Sequence, residues 1–155
     1  MGLISGGMVI PGARYRAGGL PAEALGGGAL IWVRGKYLFS ADGGAISAIN
    51  LLPSAMIPNG AIIWQAFLDV ITVPTSGGAA QVSLGVESAT DLQAAVVISG
   101  APYSTTGRKS LTPAGTGATS LKLTADRNIV ATISVATLTA GEFDVWLAYL
   151  DTLNA

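Results

Sequence analysis

The sequence predicts an all-β protein built as an antiparallel sandwich or barrel. Three observations support this fold class. Segments rich in β-branched and aromatic residues recur about every 8–15 residues along most of the chain. Turn signals containing glycine, proline or asparagine separate these segments. No long segment shows the periodicity of an amphipathic helix, so an antiparallel all-β fold is favoured over a mixed one.

The first predicted strands lie between residues 29 and 73. Ala29–Ser40 combines aromatic and β-branched residues, and Ile46–Leu52 follows it after a turn. Pro53–Gly60 is predicted to be a loop because it contains two prolines and an Asn-Gly pair. Ala61–Val73 is predicted to be a long strand that ends in a turn at Pro74–Gly78.

The middle of the chain contains one clear strand and one ambiguous segment. Ala79–Glu87 alternates apolar with small or polar residues, which is typical of a half-buried strand. Ser88–Ser99 has two interpretations. Thr90 or Asp91 could cap a short helix, whereas Val96–Ile98 favours a strand.

The last third of the chain begins with the loop-rich segment Gly100–Gly117 and contains a turn at Thr139–Glu142. Four strands are predicted here, at Arg108–Leu111, Ser120–Thr124, Asn128–Ala136 and Phe143–Leu150. The total of about eight short strands fits a single β domain.

The glycine-rich beginning of the chain differs from the rest. Residues 1–28 contain nine glycines and are predicted to form an extended arm, leaving residues 29–155 as the β domain. Arg14, Tyr15 and Arg16 form a cluster in this arm that suits attachment, because arginine donates forked hydrogen bonds and tyrosine is favoured at interfaces. A solvated tail is the other interpretation.

Composition excludes several classes of function. The chain has 155 residues, of which 50% are hydrophobic and only 11% charged, so exposed apolar surface and protein partners are expected. It has no cysteine and no histidine, which excludes a zinc enzyme or a Ser-His-Asp hydrolase. A net charge of −1 argues against nucleic-acid binding, and no apolar run is long enough to span a membrane.

Charge is unevenly distributed despite the small total. Residues 1–40 carry a net charge of +3, and residues 41–155 carry −4. The near-neutral total therefore combines a basic front with an acidic body.

No motif predicts a catalytic, cofactor-binding or metal-binding site. The segment Gly100–Ser110 lacks the spacing of a phosphate-binding loop, and Gly26–Gly28 lacks the spacing of a dinucleotide-binding turn. No pair of carboxylates has an arrangement typical of a glycosidase, and no aspartate-rich calcium loop is present. We therefore predict a protein that is not an enzyme and has no cofactor.

Two predicted strands are apolar on both faces. In Ala61–Val73, strict alternation puts Ile62, Trp64, Leu68 and Val70 on one face, and Ile63, Phe67, Ile71 and Val73 on the other. Phe143–Leu150 has a similar pattern, with Trp146 and Leu150 opposite Phe143. A sandwich strand normally exposes one face to solvent. Because both faces are apolar here, we expect the second face to be covered by the arm, a loop or another subunit.

The predicted subunit-interface residues follow from these two strands. They are Trp64, Phe67, Trp146 and Leu150. Tryptophans are usually buried, so Trp32, Trp64 and Trp146 are each expected in the core, and Trp146 is also the strongest interface candidate of the three.

Three segments together resemble the small capsid decoration proteins of tailed bacteriophages, of the cement or head-fibre-like kind. The resemblance covers about residues 50–150 and rests on pattern, not on a short signature. The segments are Leu52–Ile63, Asp69–Thr72 with Ser76–Leu92, and Leu138–Leu150. The resemblance implies a β-sandwich, often jelly-roll-like, that sits as a trimer on the outside of the phage head and staples neighbouring major capsid subunits.

The leading hypothesis is therefore a structural virion protein, made in the host cytoplasm, whose partners are its own copies and the major capsid protein. The arm is outside the resemblance, so capsid contact by Arg14, Tyr15 and Arg16 is our own inference. The alternative hypothesis is a glycan- or receptor-binding module of a phage fibre, since jelly rolls also serve as lectins. Its candidate sugar contacts are Tyr103, Arg108 and Asn59.

Overall fold

A computed structural model of the protein describes residues 30–52 and 57–152. Within these ranges the chain forms nine strands and one short helix. In chain order they are β1 (Leu30–Leu38), α1 (Phe39–Asp42), β2 (Ala48–Asn50), β3 (Ile62–Ser76), β4 (Gln81–Gly85), β5 (Gln93–Val97), β6 (Gly107–Ala114), β7 (Leu121–Lys122), β8 (Val130–Ser134) and β9 (Leu138–Leu150). No helix in the described part of the chain is long and apolar enough to cross a membrane.

The strands form two antiparallel sheets, which confirms the predicted all-β antiparallel sandwich. The first sheet has the order β1-β9-β3-β6, with the short β7 also paired to β3. The second has the order β2-β8-β4-β5. The predicted arm, residues 1–28, lies outside the described residues.

The hydrophobic core lies between the two sheets because each sheet turns one apolar face inward. On β9 the buried set includes Phe143, Val145 and Leu147, as the alternation predicted. The second sheet contributes apolar residues from β4 and β8, including Val82, Leu84, Ala131 and Ile133. Burying one large side chain of this kind stabilises a fold by roughly 1.5–3 kcal/mol.

A β-bulge in β3 makes part of the predicted face assignment wrong. Ile63 is buried, and so are Ala66 and Leu68, which strict alternation places on the opposite face. The pairing with β9 shifts register between Ile63 and Gln65, so the residues on the two sides of this point follow different parities. Ile62 and Trp64 consequently do not share a face with Leu68.

Both long strands run into segments that were predicted to be turns, Pro74–Gly78 after β3 and Thr139–Glu142 before Phe143–Leu150. β3 continues through Pro74 to Ser76, and β9 begins at Leu138. Ser76 pairs with Leu138 there, and the Thr75 and Thr139 hydroxyl oxygens are 2.8 Å apart. Repeated register shifts accommodate the proline, which cannot donate to a regular ladder.

The predicted strand Asn128–Ala136 ends early, at Ser134. Val135 has a φ of +70°, a left-handed conformation that is rare for a β-branched residue. The Ala136 N–H donates to the Ser134 carbonyl at 2.8 Å, which closes a tight three-residue turn.

The ambiguous segment Ser88–Ser99 contains a strand, β5, and no helix. Asp91 does not cap a helix. Its carboxylate accepts hydrogen bonds of 2.8 Å from the backbone N–H groups of Val86, Glu87 and Ser88. One side chain thus fixes the tight loop between β4 and β5.

Replacing Asp91 with alanine is expected to lower the free energy of unfolding by about 1–3 kcal/mol, because three backbone donors lose a charged acceptor. Urea denaturation checks this. Asp91→Asn keeps one acceptor oxygen and is expected to lose less. Equal denaturation midpoints for Asp91→Ala and the unmodified protein would show that this carboxylate does not hold the loop.

Candidate functional site

The face of the first sheet that points away from the core carries three aromatic side chains. The Phe67 ring centroid lies 5.8 Å from that of Trp32 and 6.0 Å from that of Trp146. With Asp69 and Arg108 these rings line a shallow depression of about 460 Å³. We call these five residues the aromatic face. They come from four adjacent strands, so the order of the sheet creates the site.

Strand β1 shows why the site forms here. Its residues alternate in burial, so that Tyr37 is buried in the core, whereas Trp32, Arg34 and Lys36 point outward. Trp32 is 46% exposed. The expectation that Trp32 is a core residue is therefore wrong, because it shares its face with two charged side chains.

Two guanidinium groups lie over the aromatic rings. The Cζ atom of Arg34 is 5.8 Å from the Trp146 ring centroid, and that of Arg108 is 5.5 Å from the Phe67 ring centroid. Cation–π contacts at exposed positions contribute about 0.5–1 kcal/mol each. The arginines therefore cover part of two rings, and Trp32 has no cation over its ring among the described residues.

Ion pairs link β1 to β9 beside the rings. Arg34 lies 3.6 Å from the Asp144 carboxylate, and Lys36 lies 2.6 Å from the Glu142 carboxylate. Part of the basic front of the sequence thus pairs with part of its acidic body. The Lys36–Glu142 pair is partly exposed and stabilises weakly, and the two pairs together neutralise this edge of the face.

Asp69 and Arg108 have no such partners. They lie opposite each other in the β3–β6 register. In residues 30–52 and 57–152, neither side chain makes an ion pair or a hydrogen bond. The aromatic face therefore carries one unpaired carboxylate and one unpaired guanidinium beside its rings.

Asp144 is the buried charge of this face. It is only 6% exposed, and its Oδ1 atom has no hydrogen-bond partner among the described residues. Burial raises the pKa of Asp144 above its ordinary value, although the nearby Arg34 and Lys36 act in the opposite direction. Asp69 lies on β3 directly opposite Asp144, and its negative charge also favours the protonated form of Asp144.

Replacing Asp144 with asparagine is expected to raise stability at pH 7. Because the folded-state pKa is raised, the native protein loses stability as the pH rises from 3.8, the ordinary value, through the folded pKa. Asparagine does not ionise and escapes this loss. Denaturation midpoints measured from pH 3 to pH 7 should diverge with rising pH. At each pH, the stability gained by Asp144→Asn is its free energy of unfolding minus that of the unmodified protein. A gain that is smaller at pH 7 than at pH 3 would contradict the prediction.

A second charged cluster is fully engaged in structural contacts. The Arg127 guanidinium donates two hydrogen bonds to the Glu87 carboxylate, at 3.1 and 2.8 Å. Thr124 donates its hydroxyl and its backbone N–H to the same carboxylate. The hydrogen bonds from Arg127 and Thr124 lower the pKa of Glu87 to about 2. This carboxylate ties two loops together and is not poised to exchange a proton near neutral pH.

The predicted interface residues occupy different places. Phe67 and Trp146 meet on the aromatic face. Leu150 is half-buried near the end of β9, opposite Leu30 and Ile62. Trp64 is half-buried at the β3 bulge and makes no ring contact within the described part of the chain. The predicted capsid contacts Arg14, Tyr15 and Arg16 lie outside the described residues.

One candidate sugar contact is wrong. Tyr103 is fully buried and its ring packs 5.8 Å from Phe143, so it cannot contact a ligand at the surface. Arg108 is exposed and belongs to the aromatic face. Asn59 is exposed in a separate loop, where its backbone N–H donates to Asp126. The described residues contain no group of three metal-ligating side chains.

Comparison with solved structures shows that the fold of this chain is similar to that of chains in three phage capsids. A chain in the acidic stable capsid structure of Helicobacter pylori bacteriophage KHP30 superposes with a TM-score of 0.57 at 14% identity, covering 80% of this chain and 89% of that one. The fold is one found in phage capsids. A chain of the cyanophage Pam1 capsid asymmetric unit gives 0.56 at 19% identity, with 94% and 98% covered. A chain of the Ralstonia phage GP4 capsid gives 0.57 at 17%, with 83% and 88% covered.

The likeness to the capsid chains is one of fold and extends over most of each chain. No family model and no curated protein matches the sequence. Each alignment covers nearly all of the matched capsid chain, so these chains are close to this one in length. The fold is therefore shared with nearly the full length of small chains in these capsids, and not with one domain of a much larger chain.

Proposed function

We propose that this protein is a non-enzymatic structural component of a phage virion that decorates the outer surface of the capsid and bridges major capsid subunits. The observation that carries the proposal is the likeness to nearly complete chains of three phage capsids, over 80–94% of this chain. The resemblance of residues 50–150 to decoration proteins supports the same role. The protein would be made in the host cytoplasm and act on the virion surface.

The strand order supports placing the domain among jelly rolls. Each sheet interleaves early and late strands, β1-β9-β3-β6 in one and β2-β8-β4-β5 in the other. Eight strands in two facing sheets are typical of that architecture, which viral capsid domains use.

We propose a homotrimer with residues 1–28 as an arm that contacts the capsid through Arg14, Tyr15 and Arg16. An apolar composition with only 11% charged residues supports a chain that works within an assembly. Three arms on one trimer would raise the effective concentration of each at the capsid. Trp64 and Leu150 remain proposed contacts between copies.

Co-sedimentation with phage heads that lack the decoration protein tests the proposal. The purified protein should pellet with the heads and stay in the supernatant without them. A full-length variant with alanine at positions 14, 15 and 16 should bind more weakly, and light scattering should give the mass of a trimer. Failure of the unmodified protein to pellet would contradict the decoration role, and a monomeric mass would contradict the trimer.

A further inference from the structure

The aromatic face has the composition of a protein-binding hot spot. Tryptophan and arginine are enriched at the energetic centres of interfaces, and Trp32, Trp146 and Arg108 occur together here. The depression between the rings, about 460 Å³, is open and shallow. It suits an apolar side chain presented by another protein, because nothing in the described part of the chain covers Trp32.

The unpaired charges define what a partner must supply. Asp69 and Arg108 lie opposite each other on β3 and β6 but make no ion pair within the described residues. Both line the same depression as the rings. A partner that inserts an apolar side chain and leaves these groups unpaired would bury them at a cost. A complementary partner therefore has a basic residue facing Asp69 and an acidic residue facing Arg108.

A two-fold contact between two copies of this chain fits the face poorly. Two copies stacked about a two-fold axis parallel to the strands would place β9 of each over β3 of the other. Asp144 and Asp69, which are neighbours on these strands, would then meet a second pair of carboxylates. Like charges buried opposite each other are unfavourable, so the charge pattern disfavours a two-fold contact through this face.

A sugar fits the face less well than a peptide. Sugar rings stack on open aromatic faces, whereas guanidinium groups lie over Trp146 and Phe67 at 5.8 and 5.5 Å. Trp32 is then the one ring of the three without a cation over it among the described residues. An apolar side chain of a peptide can enter the gap between the rings and does not need an uncovered ring face.

We propose that the aromatic face docks a surface segment of the capsid shell subunit that presents one apolar side chain flanked by a basic and an acidic residue. This inference rests on the proposed function and names the surface through which it operates. It assigns Phe67 and Trp146 to the contact with the shell and not to contacts between copies.

Quantitative co-sedimentation of full-length variants with heads lacking the decoration protein tests the inference. Trp32→Ala and Arg108→Ala should each weaken binding at least tenfold, as truncation of a hot-spot residue does. Ile46→Ala is the matched control, because Ile46 is also a large exposed apolar residue, at 56%, but lies outside the aromatic face. It should bind like the unmodified protein. Unchanged denaturation midpoints would show that the variants fold.

The outcomes separate the two proposals. If the unmodified protein binds heads and the two face variants bind equally well, the docking surface is wrong and the decoration role stands. If the unmodified protein does not bind, both fail. If the face variants change the mass in light scattering, the face is a contact between copies. If a glycan array gives a hit that Trp32→Ala abolishes, the face is a sugar site. Either of these last two results overturns docking to the shell.

Discussion

Replacing Gly85 with alanine is expected to lower the free energy of unfolding by about 3 kcal/mol or more. Gly85 is buried at the end of β4, where the following loop folds back over the strand. A Cβ atom at this position would lie 1.7 Å from the Ser88 carbonyl oxygen and 2.7 Å from the Ala89 carbonyl carbon. Both are backbone atoms, so the loop itself must move.

The cost at Gly85 is large because the loop is held in place by Asp91. Any shift of Ser88 disturbs the hydrogen bond that its N–H donates to Asp91, and those from Val86 and Glu87 with it. Gly77→Ala provides the control, since no atom lies within 4 Å of its added Cβ. Guanidinium denaturation of both variants should give a much lower midpoint for Gly85→Ala alone. Similar midpoints would show that the loop yields without cost.

Replacing Phe143 with alanine is expected to cost about 3–5 kcal/mol, the range for deleting a buried aromatic side chain. Phe143 is buried on the central strand β9. Its ring stacks on Tyr37 at a centroid distance of 4.8 Å and packs against Tyr103 at 5.8 Å. The substitution leaves a cavity among aromatic side chains that cannot close around it. A loss of this size is a large part of the 5–15 kcal/mol typical of a domain.

Phe67→Ala is the matched control for Phe143→Ala. It makes the same chemical change on the outer face of the same sheet, where water can replace the lost ring. We expect less than half the loss of stability seen for Phe143→Ala. Chemical denaturation gives the two free energies, and near-ultraviolet circular dichroism should show altered tyrosine packing for Phe143→Ala. Equal losses at the two positions would contradict the division into inner and outer faces.

The sequence allowed the fold class and the inner face of β9 to be predicted, because both follow from local alternation. The bulge in β3 could not be predicted, since it arises from the pairing of Ile63 and Gln65 with β9. The same limit applies to the short loop at Asp91. The sequence offers Asp91 only as the cap of a helix that does not form, because the backbone donors that its carboxylate accepts from depend on the path of the chain.

The aromatic face was only partly predictable. Phe67 and Trp146 were identified because their strands are apolar on both faces. The position of Trp32 could have been found, since alternation puts it on the face that carries Arg34 and Lys36. The closeness of Arg108 to Phe67 could not, because β6 becomes the neighbour of β3 only through the order of the sheet.

The central position of β9 has a consequence for biosynthesis. β9 lies between β1 and β3 and pairs with both along most of its length. A chain growing on the ribosome therefore exposes β1 and β3, without the strand that joins them, until residue 150 has left the exit tunnel. Pairing between strands so distant along the chain is slow, and unpaired strand edges promote aggregation. We expect the first sheet to close only once β9 has emerged, and chains truncated before β9 to aggregate.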